Sequence, residues 1–107
     1  MEIDKKIEMG RLLEVYGDLL TDNQRDIASM YYDMDMSLKE ISEQHGDISR
    51  QAVRDTIVRV DKILLDYEDK LRLVHKGEVL EETLDRIVRY DTSDEIRQEI
   101  ETLRGLI

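Results

Sequence analysis

Cysteine, proline, tryptophan and phenylalanine are all missing from this chain of 107 residues. The lack of cysteine excludes disulfides, thiolate metal sites and dithiol redox chemistry, and it fits a reducing compartment. The lack of proline, with only five scattered glycines, leaves no flexible linker and little to interrupt long helices. No apolar run reaches the roughly eighteen residues of a membrane span, so no membrane insertion is expected. The N-terminus MEIDKKIEMGRL alternates charged with apolar residues where a signal peptide needs a continuous apolar stretch. A soluble, cytoplasmic protein is the expectation. The only histidines are His45 and His75, there is no glycine-rich phosphate loop, and no nucleophile has a visible base, so no catalytic residue, cofactor or metal is expected. Carboxylates are plentiful, as in Asp33-Met34-Asp35 and Asp66-Tyr67-Glu68-Asp69, but in this pattern they solubilise helix faces.

Charge is present in excess of one sign and is unevenly placed. The net charge is −10, and it divides as −5 over residues 1–36, 0 over 37–76 and −5 over 77–107. So acidic a chain is repelled at long range from bulk nucleic acid, and only the middle segment can approach phosphates without penalty. There Arg50, Arg54, Arg59 and Lys62 outnumber Asp55 and Asp61. The acidic ends suit a basic protein partner.

The apolar pattern is helical nearly from end to end. A first helix is predicted from about Asp4 to Tyr16, burying Ile7, Leu12, Leu13 and Tyr16, with Gly17 as a left-handed cap. Thr21 with Gln24 forms a capping-box pattern opening a second helix to about Tyr32 or Asp33, with Ile27, Met30 and Tyr31 inward. Ser37 with Glu40 opens a short third helix, Leu38 to about Gln44, presenting Leu38 and Ile41. His45-Gly46-Asp47-Ile48 then makes the turn before Ser49 caps a long helix. Helix, turn and helix in this order predict an all-α fold built on a helix-turn-helix, with an extended recognition helix and C-terminal tail helices.

In such a motif the first helix braces across the duplex while the N-terminal residues of the second reach into the major groove. Ser49, Arg50, Gln51 and Arg54 hold those positions, with Lys39 on the bracing helix, and these five are the candidate nucleic-acid-binding residues. At 100° per residue Arg50 and Arg54 lie within about 40° of each other and off the apolar stripe. Arginine can fork onto guanine or phosphate, and glutamine can pair with adenine. A helix-turn-helix is also an ordinary way to pack three short helices, and the tyrosines Tyr31, Tyr32, Tyr67 and Tyr90 read first as packing residues. Tyr32 is the one worth testing as a base-stacking surface.

The long helix carries a second pattern. Val53, Ile57, Val60, Leu64, Tyr67, Leu71 and Val74 recur at alternating spacings of four and three, a coiled-coil-like seam. An exposed seam of that length predicts a homodimer joined through long or tail helices; the competing reading is an intrachain core. Gly77 and the DTSD segment are expected to break the chain, the latter through a capping box of Thr92 with Glu95. Leu80, Leu84 and Ile87, then Ile96, Ile100, Leu103 and Ile107, are the stripes of two tail helices. The predicted division is residues 1–76 for the helix-turn-helix with its long helix, and 77–107 for a tail packed on that helix or on a second subunit.

YGDLLTDNQRDIASMYY, then SLKEIS, then SRQAVRDTIVRVDKILLDYEDKL, resembles the YlxM family of small bacterial helix-turn-helix proteins, themselves similar to the promoter-reading fourth region of sigma factors. The resemblance runs from about Tyr16 to Leu71. It implies a noncatalytic role in the signal recognition particle pathway, with the particle's GTPase, its RNA, or both as partners. The alternatives from the residues alone are a sequence-specific DNA-binding regulator and a helical interaction scaffold. Three positions depart from the family pattern. The turn EISEQHGDISRQAV carries one extra residue, Arg54 stands where an aromatic residue is common, and Ser42 stands where alanine is usual, its hydroxyl expected to bond to its own helix.

Overall fold

The computed structural model describes residues 2–90 and 93–107. Six α-helices are present among them: α1 (Glu2–Tyr16), α2 (Asp22–Tyr32), α3 (Leu38–Gln44), α4 (Arg50–Leu71), α5 (Leu73–Arg89) and α6 (Asp94–Arg104). The chain gathers into two units, Met1–Leu71 and Arg72–Ile107.

The helix starts follow their side-chain chemistry. Thr21 Oγ1 accepts the Gln24 N–H at 3.2 Å while the Gln24 side chain accepts the Thr21 N–H at 3.1 Å, a complete capping box for α2. Ser37 and Glu40 do the same for α3 at 3.1 and 3.0 Å. Ser49 Oγ accepts the Ala52 N–H at 3.0 Å at the head of α4. Between α3 and α4 the chain reverses through Gly46 at φ +71° and Asp47 at φ +56°, so the longer turn is accommodated by two consecutive left-handed residues.

In the first unit α4 packs against α1, α2 and α3, and α2 also packs against α1 and α3. One buried cluster joins Ile27, Ile41, Val53 and Ile57, flanked by Met30, Tyr31, Leu38 and Ile48. Met9, Leu12, Leu13 and Tyr16 bury the face of α1, and Tyr16 stacks on Tyr67 with centroids 5.7 Å apart. Ile7 is not part of that face: it is 52% exposed, whereas Met9 is 2% exposed. Positions 9, 12, 13 and 16 share one stripe at 100° per residue, and position 7 falls roughly opposite Tyr16. Gly17 is also corrected. Its φ is not positive, because the chain leaves α1 through a right-handed 3₁₀ turn, Gly17–Leu19, closed by the Leu20 N–H on Gly17 O at 3.1 Å.

The seam requires a larger correction. Val53, Ile57, Val60 and Leu64 are buried by the chain's own helices, Tyr67 is half-buried against Tyr16, and Leu71 is 42% exposed. The intrachain core is the reading that holds for its first four residues, and these no longer offer an exposed stripe that a second copy would need to cover. Nor does the helix reach Val74. It ends at Leu71, where Arg72 turns left-handed at φ +55°, and Val74 lies in α5 of the second unit. The units therefore divide at 71/72 and not at 76/77. Gly77 sits inside α5 for packing: a Cβ there would lie 3.3 Å from Ile107 Cγ2.

The second unit pairs α5 with α6. Leu84 and Ile100 are its buried residues, while Leu80, Ile87, Ile96, Leu103 and Ile107 stay partly exposed. Arg104 reaches Glu81, Asp85 at 2.7 Å and Glu101 at 3.5 Å. Thr92 lies outside the described residues; α6 is capped by Ser93, whose Oγ accepts the Ile96 N–H at 3.3 Å.

Candidate nucleic-acid interface

The helix-turn-helix consists of α3 and α4, held at a fixed angle by the cluster of Ile41, Val53 and Ile57 beneath them. Ser42, the small buried residue of α3, bonds its hydroxyl to Lys39 O at 2.7 Å and so costs the packing no unsatisfied polar group. The turn is tied to the start of α2 by His45 Nε2 and Asn23 Oδ1, 2.7 Å apart.

All five predicted contact residues, Lys39, Ser49, Arg50, Gln51 and Arg54, are exposed on these two helices. They are not equally available. Ser49 is used in capping α4, and Gln51 Nε2 donates to Asp55 Oδ1 at 2.9 Å one turn along the same helix. Lys39, Arg50 and Arg54 have no ion-pair partner among the described residues, and the same holds for Arg59 and Lys62 farther along α4. This contrasts with Arg25, Lys70 and Arg104, each matched to carboxylates within its own unit. These cations stand among as many carboxylates, Glu40, Glu43, Asp47, Asp55 and Asp61, so the segment is neutral where its flanks are acidic, and it is the part of the chain that a polyanion can approach.

Two residues that sequence reasoning did not single out lie beside this face. Lys5 Nζ of α1 comes 3.7 Å from Asp61 Oδ2 of α4, and Lys6 Nζ lies 4.3 Å above the Tyr31 ring and 2.9 Å from Asp35. Lysines in an alternating N-terminal segment, far from α4 in the chain, give no local signal of that neighbourhood. Tyr32 is half-buried there; its hydroxyl donates to Asp61 Oδ1 at 2.5 Å. Burial first, then the Asp61 hydrogen bond and charge, holds the phenol well above the usual tyrosine range, so it stays protonated.

No group of three or more His, Cys, Asp or Glu converges as a metal site among the described residues, and no helix of the described residues is long and apolar enough to cross a membrane.

Comparison with known proteins agrees with the helix order. Residues 3–103 match UPF0122, "Putative helix-turn-helix protein, YlxM / p13 like". The chain is 44% identical over 107 residues to a UPF0122 protein of Streptococcus pneumoniae serotype 19F (strain G54), covering 99% of this chain and 96% of that one. It is 42% identical over 88 residues to a UPF0122 protein of Clostridium kluyveri, covering 82% and 78%. The helices, their order and this similarity along nearly the whole length place the chain in the UPF0122 family of helix-turn-helix proteins.

Proposed function

We propose that this chain is a noncatalytic cytoplasmic nucleic-acid-binding protein, whose contact surface is the outward face of α3 and the first turns of α4. The observation that carries the reading is the exposed, unmatched pair Arg50 and Arg54, about 40° apart on α4, with Lys39 on α3, in the neutral segment of a chain of net charge −10. Of the residues placed for base reading, Ser49 and Gln51 are engaged within α4, which leaves two arginines as the principal contacts. Two arginines fit phosphate and shape better than a long base-specific site. This favours phosphate- and shape-directed contact over a palindromic DNA operator, and with the YlxM resemblance it supports a structured RNA.

The resemblance to the YlxM family supports taking that RNA to be the signal recognition particle's, met together with the particle's GTPase. The acidic flanks suit a basic protein surface beside the RNA. This reading needs no second copy of the chain, and the burial of Val53, Ile57, Val60 and Leu64 by the chain's own helices supports it. The test is a salt-dependent titration against the particle's GTPase with and without its RNA, the RNA alone, and random-sequence duplex DNA. Tight binding to the RNA or its complex, with weak and sequence-blind DNA retention, is the expected result. Enrichment of a defined DNA site would overturn the pathway assignment and make the protein a transcriptional regulator; binding to none of the three would overturn the nucleic-acid reading.

A further inference from the structure

Beside the helix-turn-helix face lies a cleft of about 250 Å³ whose walls come from four helices of the first unit. Three cations line it, Lys5 and Lys6 of α1 and Arg54 of α4, against one carboxylate, Asp61. Its other walls are apolar or aromatic: the adjacent tyrosines Tyr31 and Tyr32, with Leu38 and Val58. The two rings stand edge to face, centroids 5.0 Å apart, braced by the core on one side and by the Tyr32–Asp61 hydrogen bond on the other. Such rings are held in place before any ligand arrives, so little ordering cost remains on binding.

The combination constrains the ligand. A bare phosphate would use the cations and leave the apolar walls wet, and a purely apolar group would leave three ammonium or guanidinium groups facing it. A planar group carrying a phosphate satisfies both. The volume lies just below the usual range of ligand pockets, room for one nucleotide at most and not for a duplex. Base-paired nucleic acid cannot supply a free base, whereas RNA loops and single strands present unstacked bases that lie against aromatic and arginine side chains. Arg54 belongs both to the outward face of α4 and to the cleft wall, so one strand can touch the two surfaces in succession.

We propose that this cleft takes one unstacked nucleotide of a single-stranded or loop segment of RNA, its base against Tyr31, Tyr32 and Val58 and its phosphate toward Arg54 and Lys5. This rests on the nucleic-acid reading above and deepens it from a surface to a site. Lys6, which lies over the Tyr31 ring and pairs with exposed Asp35, moves aside from the ring to admit the base and turns to the strand; the Asp35 pair is of the weak surface kind. Asp61, whose side chain is only 14% exposed, stays on Tyr32 and Lys5 and presents its remaining lone pairs to a base amino group.

The probes are a mixed-sequence single-stranded RNA of about twelve nucleotides and a fully paired RNA duplex of the same length, titrated against the full chain. Val58→Glu, at a position 48% exposed, places a carboxylate at the cleft without disturbing the buried core. It is expected to weaken the single strand about tenfold more than the duplex, which feels only the added charge beside Arg54; that difference is the size expected for losing one stacked base. Equal losses on both probes, or none on the single strand, would overturn the cleft. Arg50→Ala, outside the cleft, is expected to weaken both probes. If it does so while Val58→Glu changes neither, the cleft assignment fails and the helix-turn-helix reading stands; if neither variant has any effect, both fail. A readout independent of variant folding is photocrosslinking of the wild-type chain to the single strand bearing 5-bromouridine. Attachment at Tyr31 or Tyr32 is the expected result, and attachment elsewhere alone would overturn the proposal.

Discussion

The Tyr32 hydroxyl donates to Asp61 Oδ1 at 2.5 Å, joining the last residue of α2 to the middle of α4 directly beneath the candidate interface. The bond is half-buried, and Lys5 of α1 approaches the same carboxylate at 3.7 Å from the other side chain oxygen. The hydrogen bond sets the spacing of the helix that supplies the contact arginines against the helix that braces it.

Tyr32→Phe removes this donor and leaves Asp61 partly desolvated. A loss of about 1–2 kcal/mol in unfolding free energy is expected, measured by urea denaturation at neutral pH. The phenol's pKa is raised in the folded state, so its stabilisation is complete below the unfolded value of about 10 and declines as pH rises above it. The wild type should therefore lose its advantage over Tyr32→Phe only above about pH 10. An unchanged difference between the two proteins across that range would refute the role assigned to the bond.

Replacing Arg50 and Arg54 together with alanine should leave the helical circular dichroism spectrum intact, since both side chains are exposed and unpaired. RNA affinity at low salt should fall at least tenfold, and the slope of log K against log salt should shrink by about one for each phosphate no longer neutralised. An unaltered slope would mean the arginines do not meet phosphate.

Leu64 is fully buried among the chain's own helices. Leu64→Ala is expected to cost about 2–5 kcal/mol, with a thermal midpoint that is independent of protein concentration for both wild type and variant. A midpoint that climbs with concentration would restore the dimeric seam.

Gly46 holds φ +71°, and a Cβ built on it meets nothing within 4 Å. The penalty for Gly46→Ala is therefore backbone strain alone, about 1 kcal/mol, read as a small drop in denaturation midpoint with the spectrum unchanged. A larger drop would show that the turn packs more tightly than its geometry indicates.

The starts of α2 and α3, and the positions of Val53 and Ile57, were legible because each rests on chemistry local in sequence. A hydroxyl, a partner three residues on and a periodic apolar stripe are enough to define them. The end of α4 was not legible. Arg72 adopts a left-handed conformation that its type does not advertise, while Gly77, the residue that did advertise a break, serves the approach of Ile107. The exchange of Met9 for Ile7 has a similar cause: several apolar positions compete on α1, and only the direction from which α2 and α4 approach decides which of them is covered.

The sequence by itself determined an all-helical chain, the helix-turn-helix and the cations on its outer face, because caps, helical periodicity and charge are properties of neighbouring residues. Tertiary structure alone decided three further things. It covered the first four residues of the α4 seam from within the chain, engaged Ser49 and Gln51 inside α4, and brought Lys5 and Lys6 to Tyr31, Tyr32 and Arg54. Each of these depends on which surfaces meet once the backbone has folded, and the burial that selects among them sums over residues too distant in the chain for any local pattern to record.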